Sequence, residues 1–343
     1  ENPDGGDDSR SIGPFLNGQS AYFSSINRGK QSIALDLKAP ADRAVFEALL
    51  EKADVLVENY RPGVMARLGY GWDVLHARYP RLIHAAASGF GQTGPDAKKA
   101  AYDMVVQAMG GIMSVTGHDG SPPTRVGTSV GDITAGLFTS IGILSALHDR
   151  ARTGQGQFVD VAMLDGQIAI LENAIARYAV SGQAPGPLGA RHPSITPFAA
   201  LKCADGHVVI AAGNDGLWAA CLNALGLPDD PRFASNASRS EHWQAVHDHL
   251  ESVLVTQPAA HWLTVLEAAG VPCGPLNDIA QALAHPQVQA RNMVIKTALP
   301  DGTPLIAAGN PVKLSNHADP ATRPPAPALD ADRAAILAEL GLA

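Results

Sequence analysis

Cysteine is scarce in this sequence: Cys203, Cys221 and Cys273 are the three present, widely spaced among apolar or small neighbours. That count and spacing exclude a disulfide framework and a cysteine-rich zinc site, and read as buried, reduced thiols of a cytoplasmic protein. Positive charge is in deficit, with a formal net charge of -8 at pH 7. An acidic chain has no electrostatic case for binding nucleic acid or an anionic membrane. Long apolar runs are missing too. Ile133 to Leu147 is the longest and carries Thr134, Thr139, Ser140 and Ser145. It is shorter than the roughly 20 residues a membrane span needs, so a buried helix is expected. No basic-then-apolar leader opens the chain; Glu1-Asn2-Pro3-Asp4 reads like the interior of a longer protein. Gly-x-Ser-x-Gly, Cys-x-x-Cys and His-Glu-x-x-His are all absent, and no metal site is expected.

What is present is a hydrophobic fraction of 46% in 343 residues, enough for a large core and about two domains. The first third alternates strand and helix signals. Ser32–Leu37, Val55–Glu58 and Leu82–Ala87 have strand patterns. Between them, Pro40 and Pro62 open helical segments, where a missing N–H costs least. This alternation with short connections predicts a parallel, Rossmann-like α/β sheet. Ligands of such sheets bind at the carboxyl ends of the strands, which points to Asn59 and to the loop 88–95. A Gly-rich loop, Thr116–Gly131, precedes a long helix expected from Asp132 to about Ala151. Phe158–Val161 is a further strand. Gly182 onward has linker composition. Phe198–Cys203 and His207–Ala212 flank Asp205-Gly206, a hairpin signal. The expected domains are 1–181, large and Rossmann-like; 182–194, a linker; 195–290, a smaller α+β domain; and 291–343, a return linker ending in a helix.

Asp132 admits two readings. Aspartate is a favoured N-cap, its carboxylate accepting from the first free backbone N–H groups. A carboxylate at a helix start is also a possible covalent nucleophile, kept ionised by the helix dipole. Position alone does not choose. Gly89-Phe90-Gly91-Gln92-Thr93-Gly94 has a phosphate-loop spacing, but Pro95 makes a poor helix start. Lys30, Lys38, Arg61 and Arg67 lie near the sheet's ligand edge and would suit phosphates.

The ordered set of segments resembles the class III coenzyme A transferase family, also called CaiB/BaiF or formyl-CoA transferase-like. The resemblance rests on Asn27-Arg28-Gly29-Lys30-Gln31-Ser32 with Leu35-Asp36-Leu37-Lys38. It continues through Ala53 to Gly63, Leu68-Gly69-Tyr70-Gly71-Trp72, Ser88 to Pro95, Tyr102 to Ala108, Gly131-Asp132-Ile133-Thr134-Ala135-Gly136 and Thr153 to Gln157. It implies Asp132 as nucleophile. It also implies coenzyme A contacts at Leu35, Lys38, Asn59, Tyr60 and Arg67, an acidic neighbour of the nucleophile at Tyr102-Asp103, and a loop at Gly186–His192 that moves over the site. Family chains begin further upstream, with a strand, a helix and a second strand. The implied activity is CoA transfer from an acyl-CoA such as succinyl-CoA to a small carboxylic acid. It would run through aspartyl anhydride and aspartyl-CoA thioester intermediates, with no permanently bound cofactor. The implied assembly is an interlocked, ring-type homodimer in the cytoplasm. Two alternatives share the resemblance: an α-methylacyl-CoA racemase, for which His118 and Asp132 would be the acid–base pair, and a non-catalytic CoA-binding homologue.

Overall fold

The computed structural model describes residues 1–342. The chain forms two compact units that cut across chain order. The first comprises Glu1–Ala100, Ala135–Ala162 and Ile279–Ala343, the second Ala101–Thr134 and Met163–Asp278.

The first unit is built on a parallel sheet of Val55–Glu58, Ile83–Ser88 and Phe158–Ala162, with Ile83–Ser88 in the middle. Leu56 pairs with His84, and His84 with Phe158. The central strand is buried almost throughout, as a strand covered on both faces must be. Helix Pro40–Lys52 begins on its proline, and helix Trp72–Arg78 lies in the crossover between Val55–Glu58 and Ile83–Ser88. Leu50, Met65, Tyr70, Leu75 and Leu82 form the core between them. The expected α/β class with a parallel sheet is therefore present.

Ser32–Leu37, expected as a strand, joins no sheet. Its backbone groups are taken elsewhere: the N–H groups of Ser32 and Ala34 donate to the carboxylates of Asp332 and Asp330, and that of Leu35 to the carbonyl of Glu1. The return segment also holds more structure than a linker. Val294–Ala298 and Pro304–Ala308 pair as an antiparallel hairpin, and Arg333–Leu340 is the closing helix.

The long helix runs Val130–Thr153, 24 residues, beginning two residues before Asp132. By length and composition it could cross a membrane. Instead, part of it packs on the sheet through small residues. A Cβ on Gly142 would stand 2.5 Å from Val159 Cγ1, and Ala146 is buried. The expectation of a buried helix fails on the other face. Ile133, Leu137, Ile141 and Leu144 are spaced by four, four and three residues, and each is about half exposed or more. The fully buried positions are small, Ala135 and Ala146 among them, while Phe138, Ile143 and Leu147 are half-buried and these four aliphatics point out.

The second unit contains an antiparallel sheet of Phe198–Lys202, His207–Ala211 and Cys273–Pro275. The expected hairpin is present, closed by the Cys203 N–H donating to the Gly206 carbonyl at 2.8 Å. Helices Asp215–Leu225, Trp243–Leu254 and Ala259–Ala268 supply Trp218, Leu222, Val246, Leu250 and Leu266 to its core. Arg239 is fully buried; its guanidinium donates to the carbonyls of Thr196 and Phe233 and to Asp215. Helices Asp103–Met109 and Met163–Ala169 also belong to this unit.

Candidate active site

Asp132 sits in the first turn of the long helix rather than at its cap. The capping role falls to a carboxylate from another helix. Asp103 begins helix Asp103–Met109 and is buried, and its Oδ1 accepts the Gly131 N–H at 2.8 Å. That bond satisfies one of the donors a helix start leaves unpaired. Gly131 is required for the approach. A Cβ there would stand 2.7 Å from Val106 Cγ2 and 3.0 Å from Asp103 Oδ1. Gly136, the other glycine of the motif, has open space around it.

Gln107 organises the rest. It is fully buried, one turn beyond Asp103 on the same helix. Its Nε2 donates to Asp103 Oδ2 at 2.8 Å and to the Thr128 carbonyl at 3.2 Å, while its Oε1 accepts from the Val126 N–H at 2.9 Å. One amide thus ties the acidic neighbour to the loop that leads into Asp132. Arg125, on that loop, lies 3.8 Å from Asp103 Oδ2. Past Asp132, the Thr134 hydroxyl donates to the Val130 carbonyl at 2.8 Å and accepts from Gln167 Nε2 at 3.3 Å. Gln107, Thr134 and Gln167 are not singled out by sequence reasoning. The available signal is the four-residue spacing of Asp103 and Gln107, which puts them on one helix face.

Asp132 itself is open to solvent on one side. Partial desolvation nevertheless pushes its carboxyl above the usual range, and the charge of Asp103 pushes the same way. The helix start favours the ionised form, as expected, but burial and a like charge outweigh it. The result is a solvent-reachable carboxylate more basic than an ordinary aspartate. Carboxylate attack on an electrophilic carbonyl calls for that combination.

The other expected site residues are distributed between the two units. Tyr102 is exposed at the cap of helix Asp103–Met109, beside Asp103. Leu35 is buried and Lys38 exposed, on the segment before helix Pro40–Lys52. Asn59 and Tyr60 are exposed directly after strand Val55–Glu58, at its carboxyl end. The Tyr60 N–H donates to Glu58 Oε2 at 2.6 Å. Arg67 is exposed at the end of the short helix Val64–Arg67. In the second unit, the loop Gly186–His192 is tied down by the Gly189 N–H, which donates to the Gly117 carbonyl at 2.8 Å. Gly189 packs against the His118 ring so closely that a Cβ would stand 2.8 Å from Nδ1.

Comparison with known proteins gives a consistent result. The family model for CoA-transferase family III matches residues 1–333. The acetyl-CoA:oxalate CoA-transferase of Acetobacter aceti is 49% identical over 99% of this chain and 87% of its own length. The succinate–glutarate CoA-transferase of Agrobacterium fabrum is 39% identical with the same two coverages. Among solved structures, a CaiB/BaiF family protein from Brucella suis superposes with a TM-score of 0.85. It is 38% identical, over 99% of this chain and 90% of that one.

Proposed function

The chain belongs to CoA-transferase family III and is an acyl-CoA:carboxylate CoA-transferase; from that premise we propose that Asp132 is its nucleophile and that Asp103 and Gln107 hold the nucleophile's helix start in place. The observation that carries this is a basic, accessible Asp132 one residue from the Gly131 N–H that Asp103 clamps.

The steps balance without an added reactant. An Asp132 carboxylate oxygen attacks the thioester carbonyl; the carbon–sulfur bond breaks and CoA leaves as thiolate, giving a mixed anhydride. The thiolate attacks Cγ of Asp132 and expels the donor's carboxylate, leaving an aspartyl-CoA thioester. The acceptor carboxylate attacks that thioester, freeing the thiolate and forming a second anhydride. Thiolate attack on the acceptor's acyl carbon restores Asp132 and releases the new acyl-CoA. Each step exchanges a carboxylate for a thiolate at one acyl carbon, so charge is conserved. Backbone N–H groups of the helix start are suited to the oxyanions that form along the way. Leu35, Lys38, Asn59, Tyr60 and Arg67 are proposed to bind CoA, the two cations taking phosphate. For substrates, we propose small dicarboxylic acids. Acetyl-CoA with oxalate comes first, from the 49% identical relative, and succinyl-CoA with glutarate second. The interlocked homodimer belongs to the same reading. The exposed aliphatic face of the long helix supports it, and light scattering in solution reads it directly.

The test is Asp132→Ala and Asp132→Asn, assayed with acetyl-CoA and succinyl-CoA against a panel of carboxylic acids by mass spectrometry. Transfer is expected to fall by ~10³-fold or more, and the hydroxylamine-sensitive enzyme thioester to disappear. Retained transfer in either variant sinks the assignment. Exchange of deuterium at the α carbon without an acceptor acid would point to racemase chemistry instead.

A further inference from the structure

A second buried polar pair lies under the sheet of the first unit, away from Asp132 in sequence and unused by the scheme above. Because Leu56 pairs with His84 and Glu58 with Ala86, Glu58 and His84 are diagonal neighbours on one sheet face. His84 is almost completely buried at 3% exposure, and neither ring nitrogen has a hydrogen-bond partner among the described residues. Its ring meets Phe158 edge-on, with centroids 4.9 Å apart, and Trp72 lies over both. The ring is therefore held on two sides. Its Nε2 lies 3.7 Å from Glu58 Oε1, beyond direct hydrogen-bond distance but with no other polar group against that nitrogen among the described residues. Both groups line a cavity of about 200 Å³ together with Arg61, Trp72, Gln92 and Phe158.

The other oxygen of Glu58 faces a different task, since Oε2 accepts the Tyr60 N–H at 2.6 Å. A buried carboxylate is costly unless each oxygen meets a donor or a cation. Glu58 faces the imidazole at 3.7 Å on one side, where a small approach makes the hydrogen bond, and accepts from the backbone of the Asn59–Tyr60 turn on the other. We propose that His84 is a positioning residue. By anchoring Glu58, it fixes the Asn59–Tyr60 turn at the carboxyl end of strand Val55–Glu58, where CoA is to be recognised. Without the imidazole, Glu58 is free to turn toward solvent and Arg61, and the Tyr60 amide is released. This inference rests on the proposed CoA contacts at Asn59 and Tyr60.

The experiment compares His84→Phe, His84→Gln, Glu58→Gln and the double variant His84→Phe/Glu58→Gln. Steady-state transfer is measured alongside direct calorimetric binding of CoA. His84→Phe keeps an aromatic ring against Trp72 and Phe158 but has no nitrogen. It is expected to raise KM for acyl-CoA and weaken CoA binding by ~10-fold, with kcat within about two-fold. His84→Gln, which keeps a donor, is expected to recover most of that loss. The double variant should be no worse than the poorer single one, because both changes break one linkage. If His84 only fills space, His84→Phe leaves KM and CoA binding unchanged and loses at most thermal stability, and the inference is overturned. Additive losses in the double variant, or a fall confined to kcat, overturn it as well. If the wild type itself neither binds CoA nor transfers it, the functional reading fails and takes this inference with it. Normal wild-type binding matched by normal His84→Phe binding defeats the inference alone.

Discussion

Replacing Gln107 with leucine removes three hydrogen bonds and little volume. Val126 loses the acceptor for its half-buried N–H, which costs about 1 kcal/mol. Asp103 Oδ2, on a buried carboxylate, loses its donor, which costs about 2 kcal/mol because the acceptor is charged. Thr128 is an exposed residue, and its carbonyl turns to water at little cost. The sum is ~3 kcal/mol, or a melting-point drop of about 6–12 °C for a unit of this size. The effect on chemistry should be larger than stability alone implies. The loop 126–129 leads into the helix turn that carries Asp132, the proposed nucleophile, and a displacement of about 1 Å at a reacting group costs on the order of 10²-fold in rate. The assay is kcat and KM for transfer at a temperature where the variant is folded by circular dichroism. We expect kcat to fall by about 10²-fold while KM for the acyl-CoA changes little. Gln107→Glu is the control. It keeps the acceptor for Val126 but sets a carboxylate against Asp103, so its activity relative to wild type should rise as the pH is lowered and one of the pair takes a proton. A Gln107→Leu enzyme with kcat within about three-fold of wild type would refute the reasoning.

Further outcomes concern the glycines of the helix start, the titration of Asp132 and the core of the second unit. Gly131→Ala should destabilise by about 1–3 kcal/mol and lower kcat, because its Cβ collides with Val106 and crowds Asp103. Gly136→Ala meets nothing and should stabilise the helix by up to about 1 kcal/mol, and denaturant titration of the pair tests both. As the proposed nucleophile, Asp132 has to be ionised to react, and burial together with the charge of Asp103 raises its pKa. The acid limb of kcat/KM should therefore lie above the ordinary aspartate range, with activity lost as pH falls through it. Asp103→Asn removes the like charge and should move that limb to lower pH, read from a pH–rate profile. The stability sign is the reverse of a salt-bridged carboxylate. Asp132 binds its proton more tightly folded than unfolded, so its ionised form opposes folding at neutral pH. Asp132→Asn should melt no lower than wild type, with the difference shrinking as pH is lowered. Arg239→Leu strands the Thr196 and Phe233 carbonyls inside the second unit. A loss of about 2–5 kcal/mol is expected by urea unfolding.

Much of this was legible in the sequence where a residue's neighbours along the chain are also its neighbours in space. The aliphatic runs at Val55–Glu58, Ile83–Ser88 and Phe158–Ala162 are self-evident strands, and Asp205-Gly206 marks its own hairpin. Ser32–Leu37 alternates like a strand, but its donors are taken by Asp330 and Asp332, about 300 residues away. Cys273–Pro275 is short and holds glycine and proline, so nothing local marks it as an edge strand. Asp132 is readable as a helix-start carboxylate, but not its displacement to the first turn. That depends on Asp103 taking the cap, a contact between residues 28 positions apart. Gln107 is the instructive omission. In the run Asp103-Met104-Val105-Val106-Gln107 it passes for a solvent-facing residue, yet Met104 and Val105 are exposed and Gln107 is wholly enclosed.

The capping of Gly131 by Asp103 also bears on how this protein could be redesigned. One carboxylate serves two masters: it completes the backbone of one helix and, second to burial, raises the basicity of Asp132, the proposed nucleophile on that helix. Asp103→Asn removes the charge and keeps an oxygen to accept the Gly131 N–H, but it sets an amide N–H group against the donor Gln107 Nε2. A designer who wants a less basic carboxylate at position 132 would have to give Gln107 Nε2 another acceptor when making Asp103→Asn. An evolving lineage faces the same coupling, so a change at position 103 should be accompanied by one at position 107.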